Sequence, residues 1–399
     1  MKSITLFTEE IDDLEVAIEE LKQQLDDGLK LMKNSCGIVF CDKDTEIEEL
    51  LEELDNNFDF PIMGCTALAM FTKREGYQTS GISMMVLTAD DCEFQLAMTD
   101  DLLNCGDINC ELNRTYTEAS AKLNEKEKII ITYASKMQAI GGDELVDIIT
   151  GLSGGIPVYG ALASDSFSFS DFKVFCGKRC EQYSMAMLLI SGNIKPLYMM
   201  EFSLDQLMDF SATVTSSEGP NVYTLDNEPF TDVLKRVGLE SKQDNTDNVI
   251  MEFIGTPFLS VEDYEDGTKI RKMRNLAGID SEKKSGRFMG NVNEGTHLHI
   301  GLMKKEDVQK SVAAAFRNLL SQMKDSDYDY SMLLCNSCGS RYLILATEPN
   351  AETKAYEGLL PEEIDLMGFY SYGEIAPKVT DTGKIYNCFN NDTFTILAI

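Results

Sequence analysis

Apolar positions along the chain follow two periods. Short, mostly apolar runs recur at Gly37–Cys41, Lys128–Ala134, Tyr183–Ile190 and Ser331–Cys335. Runs of this length with few polar interruptions predict strands buried on both faces. Between them lie stretches with apolar residues three and four apart. Residues 8–33 place Ile11, Leu14, Ile18, Leu21, Leu25 and Met32 on one stripe behind Thr8, a candidate N-cap, and predict a helix. With only about three heptads, broken by Gly28, this helix is expected to pack on a sheet rather than form a coiled coil. Further helices are predicted over 46–54, 116–124, 143–152, 229–237 and 306–323, the last with Val308, Val312, Phe316 and Leu319 on its apolar side. Gly151-Leu152-Ser153-Gly154-Gly155 reads as a helix C-cap and turn.

The same order of elements occurs three times. Strand 37–41, helix 46–54 and Pro61-Ile62-Met63-Gly64-Cys65-Thr66 lead through a hairpin around Gly76 to strand 82–88. Strand 128–134, helix 143–152 and Pro157-Val158-Tyr159-Gly160-Ala161 lead through a Ser/Phe-rich loop to strand 183–190. Strand 331–335, helical residues 341–357 and Asp365-Leu366-Met367-Gly368-Phe369 lead to strand 392–398. Each copy predicts a strand–helix–strand crossover, with the glycine at the end or edge of the second strand. Two hairpins are expected across short turns, 183–190 with 194–200 and 82–88 with 92–98. Strands 212–216, 221–225 and 297–303 and an exposed loop over 239–248 fill the middle. The fold class is α/β, repeated strand–helix–strand units in mixed sheets flanked by helices. Two associated domains are expected, residues 1–202 and 203–399.

Composition narrows the function. Lys+Arg 35 against Asp+Glu 67 gives a net charge of −32, which repels nucleic acid and anionic membranes. Neither is expected as a partner. The N-terminal residues lack a signal peptide's apolar core, and no apolar run reaches membrane-spanning length. The 11 cysteines are therefore expected to be mostly reduced, in the cytoplasm.

Open α/β sheets bind ligands outside their strand ends, so the segments after Gly64, Gly160 and Gly368 are the candidate pocket. They offer Cys65 and Thr66, then Ser164 and Asp165, then Tyr370, Ser371, Tyr372 and Glu374. Ser164 and Asp165 suit an ammonium or hydroxyl group, although a local turn capped by Asp165 is equally consistent. Arg341 could clamp a carboxylate or be an exposed arginine at a helix start. His297 and His299 share a strand face as two metal ligands would, with a solvated face as the plainer reading. Cys176, Cys180, Cys335 and Cys338 could supply zinc thiolates, but Cys335 reads better as a buried small hydrophobe. No metal and no cofactor are expected. Cys65 follows Gly64 as a nucleophile might, yet Ala161 stands at the matching place in the second copy, so a small pocket-lining residue fits better.

These segments carry a resemblance. Gly368–Ile375 (GFYSYGEI) with Asn387–Thr393, supported by Gly64-Cys65-Thr66, Gly160–Phe167, Val214–Pro229 and Cys338-Gly339-Ser340-Arg341, resembles the FIST sensory-domain family across residues 30 to 397. The resemblance implies a FIST N-terminal-type region followed by a C-terminal-type region. It implies ligand sensing in signal transduction, with amino acids among the proposed ligands, and adds Asn391 to the candidate ligand-binding residues. The chain departs from the family where Ala161-Leu162-Ala163-Ser164-Asp165 stands in place of a doubled glycine and a Gly-Asp pair. No signalling output region is recognised, so output is expected through a separate partner. Two other readings stay open: an enzyme using Cys65 or Glu374, and an interaction scaffold acting through the acidic first helix.

Overall fold

The structure is a computed structural model that describes all residues except 136–140, 205, 243–248, 265–266 and 381. It is a mixed α/β fold with three six-stranded sheets and one eight-stranded sheet. Part of the loop expected at 239–248 lies outside the described residues.

The three six-stranded sheets share one path. Each centres on a parallel pair joined through helix: Asn34–Asp42 with Ile62–Ala67, Ile129–Ala134 with Val158–Leu162, and Met332–Cys338 with Asp365–Ser371. Beside each first strand runs an antiparallel strand that comes later in the chain: Ile82–Ala89, Met185–Gly192 and Thr393–Ala398. Beyond these, the sheets are edged by Lys2–Thr8, Cys92–Met98 and Leu197–Phe202 respectively.

On the other flank each sheet is completed by a hairpin from a different unit. The hairpin Val174–Cys176/Arg179–Glu181, which follows the second parallel pair, joins the first sheet. The hairpin Glu374–Val379/Ile385–Asn390, which follows the third, joins the second sheet. The hairpin Met70–Thr72/Gly76–Gln78, which follows the first, joins the third sheet. The donation runs in a closed cycle.

The three glycines explain how the donated strands fit. Each lies inside its strand rather than at the end or edge expected, flanked by the preceding parallel strand and by the incoming hairpin. Gly64 sits between Val39 and Phe175, Gly160 between Thr132 and Ile375, and Gly368 between Cys335 and Phe71. A Cβ there would stand 1.9 Å from the Val39 carbonyl oxygen, 1.7 Å from that of Thr132, and 2.7 Å from that of Cys335. Such close backbone approach admits only glycine. Where the sheets converge, Phe40, Tyr133 and Phe369 pack together, with ring centroids 4.3 to 5.8 Å apart.

Helix Leu14–Gly28 buries Leu14, Ala17, Ile18, Leu21 and Leu25 in the core shared with Ile4 and Leu6. Its apolar stripe is thus spent on a sheet. The helix is shorter than residues 8–33, because Lys2–Thr8 alternates as an edge strand and Asp13, not Thr8, caps the helix by accepting from the Val16 amide. The helix predicted over 116–124 runs instead from Ile108 to Ser120, capped by Asp107.

Neither expected hairpin forms. Strand Ile82–Ala89 pairs with Lys2–Thr8 and Asn34–Asp42, while Cys92–Met98 pairs with Met185–Gly192. Strand Leu197–Phe202 pairs with Thr393–Ala398. The two turns are where the chain leaves one sheet for the next, and they bond to each other: the Asn193 amide donates to the Asp91 carbonyl at 3.1 Å. Gly192, at φ +99°, permits that contact.

The eight-stranded sheet, from Gln206–Glu218 to His297–Leu302, is inserted between strand Leu197–Phe202 and helix Lys305–Asp325. It is anchored by Arg274, whose guanidinium meets the Asp143 carboxylate at 2.7 Å and the Phe389 carbonyl at 2.9 Å. Among the described residues no helix is long and apolar enough to cross a membrane.

Candidate functional site

The segments after the three glycines come together at Ser164. Its amide donates to the Thr66 carbonyl at 3.1 Å, its hydroxyl accepts from the Leu68 amide at 2.8 Å, and that hydroxyl donates to the Tyr370 carbonyl. This junction is packed rather than open. Thr66 is buried and its hydroxyl accepts from the Lys173 amide at 3.0 Å. Cys65 lies between Phe40 and Val174 in the sheet, and burial pushes its thiol well above the ordinary range. The Tyr370 ring packs among Phe71 and Tyr342. Cys65, Thr66, Ser164 and Tyr370 are therefore brought together as a buried knot.

Asp165 organises the loop that follows. Its carboxylate accepts from the Ser168 hydroxyl, from the amides of Phe169, Ser170 and Asp171, and from the Tyr372 phenol. Burial works to raise this carboxyl, but the hydrogen bonds overcome it and hold the group at about 2. The loop leaves Phe167 at φ 65° and Phe169 at φ 52°. Aromatic residues rarely occupy that left-handed region, and each such residue costs on the order of 1–3 kcal/mol. The bonds to Asp165 hold the strained loop in place, with Phe169 stacked on Tyr372 at 4.6 Å.

A small cleft opens beside this loop. Phe167, Phe169, Ser371 and Tyr372 form one side with Cys338, Gly339, Ser340 and Leu343. The inserted region supplies Ile250, Met251, Ile254, Asn275 and Met289, and Asn391 completes the lining. Its innermost space is about 20 Å³. The cleft thus collects Ser371, Tyr372 and Asn391, and leaves Cys65, Thr66, Ser164 and Tyr370 behind it. Asp165 reaches it only through Tyr372 and the loop.

Two buried carboxyls lie behind the lining. Glu374 accepts from the Ser371 and Thr393 hydroxyls, each at 2.7 Å, yet burial dominates and lifts it to about 8. Asp392, at φ 56°, accepts from Ser340 and from the Asn275 amide group. Burial raises it to about 6 against the pull of those bonds. Arg341 is fully buried too, but turned to Glu352, with 2.7 Å between Nη2 and Oε1, and to Ser203 and Ser311. It does not line the cleft.

His297 and His299 stand in a strand of the inserted sheet, where His297 Nδ1 lies 3.3 Å from the Thr213 hydroxyl. Among the described residues no group of three or more His, Cys, Asp or Glu side chains could hold a metal ion.

The family model of the FIST N domain matches residues 35–228, and that of the FIST C domain matches residues 231–377. The chain belongs to the FIST family. No curated protein matches it. FIST domains are associated with sensory and signal-transduction roles, and the family is not a known enzyme family.

In this FIST chain the inserted region's contribution to the cleft has no signature in the local sequence pattern. Asn275 and Met289 follow strands of a sheet whose packing partner no local pattern announces. Phe169 had a faint signal, the Ser-Phe-Ser-Phe alternation at 166–169, which in a strand would put both rings on one face. Here the loop places both against the cleft by left-handed turns.

Proposed function

We propose that this FIST protein is a cytoplasmic small-ligand-binding sensory protein, with an amino acid or related metabolite as ligand and output through a separate partner. Supporting this reading above all is the cleft built jointly by the strained Phe167–Phe169 loop, the Ser371-Tyr372 segment and the inserted region. Strain kept at a cleft is a mark of function. A ligand there would touch both the sheet cycle and the inserted sheet, so occupancy could be felt by both. The three units share one path, and the cleft draws on the segments after the second and third glycines, Phe167 and Phe169 with Ser371 and Tyr372. Ligand contacts fall to Ser371, Tyr372 and Asn391 directly, while Asp165 and Glu374 hold those residues in position.

A thermal-shift screen of amino acids and related metabolites on the purified chain tests the proposal. A true ligand at 100 times its Kd adds about 2.7 kcal/mol, a shift readily seen. A screen in which no compound stabilises the chain, with Tyr372→Ala and the unaltered protein behaving alike throughout, would count against it.

A further inference from the structure

Two oxygen atoms without a partner lie at the cleft, one on the lining residue Asn275 and one on Asp392 just behind the lining. Asp392 is wholly buried; its Oδ1 takes both available donors, Ser340 Oγ and Asn275 Nδ2, and its Oδ2 meets none. Asn275 is 4% exposed and lines the cleft, and its Oδ1 also lacks a partner. Both atoms are acceptors. An unpaired buried acceptor costs on the order of 1–3 kcal/mol, more when charged. Native structures seldom leave two on side chains bonded to each other without something to fill the need.

The surroundings say what kind of group would fill it. Among the described residues lining the cleft there is no Lys, Arg or His. The two buried arginines near it are committed elsewhere, Arg341 to Glu352 and Arg274 to Asp143. A carboxylate or phosphate would find no cation in the lining, and the Asp392 carboxylate close behind it. Phe167, Phe169 and Tyr372 supply aromatic surface, which attracts organic cations. A bare divalent ion would want six or more oxygen ligands, mostly carboxylates, and the cleft has too few. The inner space of about 20 Å³ suits a head group rather than a whole metabolite, and the half-exposed Met251 stands at the mouth.

We propose that the cleft recognises an organic ammonium group, which donates to Asn275 Oδ1 on the lining, is drawn by the Asp392 carboxylate bonded behind it, and packs against Phe169 and Tyr372. The inference rests on the reading of this cleft as the sensory site and, of the two ligand classes proposed there, favours an amine-bearing metabolite over an amino acid. The ligand is read by its amine end, and a free carboxylate beside that amine weakens binding.

The probes are isobutylamine, valine and isovalerate, which share one carbon skeleton and differ in the charged groups. Binding to the full chain is measured by calorimetry at pH 7. Isobutylamine is expected to bind saturably, valine at least tenfold more weakly, and isovalerate not at all. Asp392→Asn should weaken amine binding at least tenfold. Phe169→Leu, outside the buried charge cluster, should weaken it several-fold and serves if the first variant does not fold. Isovalerate binding as well as or better than the amine would overturn the ammonium assignment while leaving the sensory site standing. Amine binding unaffected by either variant, or no amine binding at all, would also overturn it. Loss of the sensory reading itself is separate and requires that amines, acids and neutral metabolites all fail in the broader screen.

Discussion

The Tyr372 phenol donates to the Asp165 carboxylate at 2.5 Å, tying the segment after the third glycine to the loop after the second. Because the same carboxylate holds three loop amides and Ser168, one side chain sets the cleft's aromatic wall. The folded carboxyl titrates at about 2, below its unfolded value of about 3.9. Its stabilisation is therefore complete above about pH 4 and is lost as the pH falls through about 2. Asp165→Asn should cost about 2–3 kcal/mol at pH 7, with the gap to the unaltered protein closing across that window. Urea melts at pH 2, 3, 4 and 7 check this; a gap independent of pH would contradict it.

Glu374 behaves in the opposite sense. Its folded value of about 8 lies above an unfolded value of about 4.3. The neutral form is favoured in the fold, so its stabilisation is full below about pH 4 and is lost as the pH rises through about 8. When protonated, Glu374 can donate to the Ser371 hydroxyl, which in turn donates to the Ser337 carbonyl. Glu374→Gln imitates that state. The variant should be as stable as the unaltered chain near pH 4 and progressively more stable from there to pH 8, by several kcal/mol, on the order of 4. Thermal melts of both proteins between pH 4 and 9 decide it. A parallel decline of the two would refute the assignment.

The strand glycines should be intolerant of the smallest side chain. Gly160→Ala puts a methyl group 1.7 Å from the Thr132 carbonyl oxygen and within 3.0 Å of two further Thr132 backbone atoms. The expected loss is more than about 3 kcal/mol, in the range reserved for strain and overpacking. Gly177→Ala, with nothing within 4 Å of the added Cβ but φ at +58°, should cost about 1 kcal/mol. Expression level and melting temperature rank the two variants; equal losses would show that the contact across the parallel pair is looser than described.

Cys65 should be inert in the folded protein. It is fully buried and desolvation raises its thiol, so little thiolate exists at neutral pH. Cys110 is exposed on helix Ile108–Ser120. Iodoacetamide at pH 7.5, followed by peptide mass spectrometry, should label Cys110 first and Cys65 only on unfolding. Rapid labelling of Cys65 in the native chain would revive it as a nucleophile.

Local pattern revealed the strands of the parallel pairs because their apolar runs are short and bounded by turn residues. It revealed helix Gly142–Ser153 because Gly154 closes it in the left-handed conformation. Pattern misplaced what depends on distant pairing. Cys92–Met98 looks like the return of a hairpin, since Ala89-Asp90-Asp91 is a good turn, but its partner begins at Met185. Nothing near Phe71 says that it will pair with Gly368. The site followed the same rule. Ser371, Tyr372 and Asn391 are polar or aromatic residues in a glycine-flanked or Asn-rich context and stood out. Asn275 did not, because its importance lies in bonds to Asp392, 117 positions away.

The cyclic exchange of hairpins has a consequence for how the chain is made. The hairpin Met70–Thr72/Gly76–Gln78 leaves the ribosome roughly 300 residues before the strand it must join. At about 5–20 residues per second, that is a wait of roughly 15–60 s. The first sheet cannot take its own outer hairpin until the second unit has been synthesised, and the second must wait for Glu374–Asn390. A nascent chain stopped at any point before the last strands carries unpaired sheet edges, which invite association. Assembly is thus a closing step that waits for strands Glu374–Val379 and Thr393–Ala398, and until these are made the open sheet edges favour association.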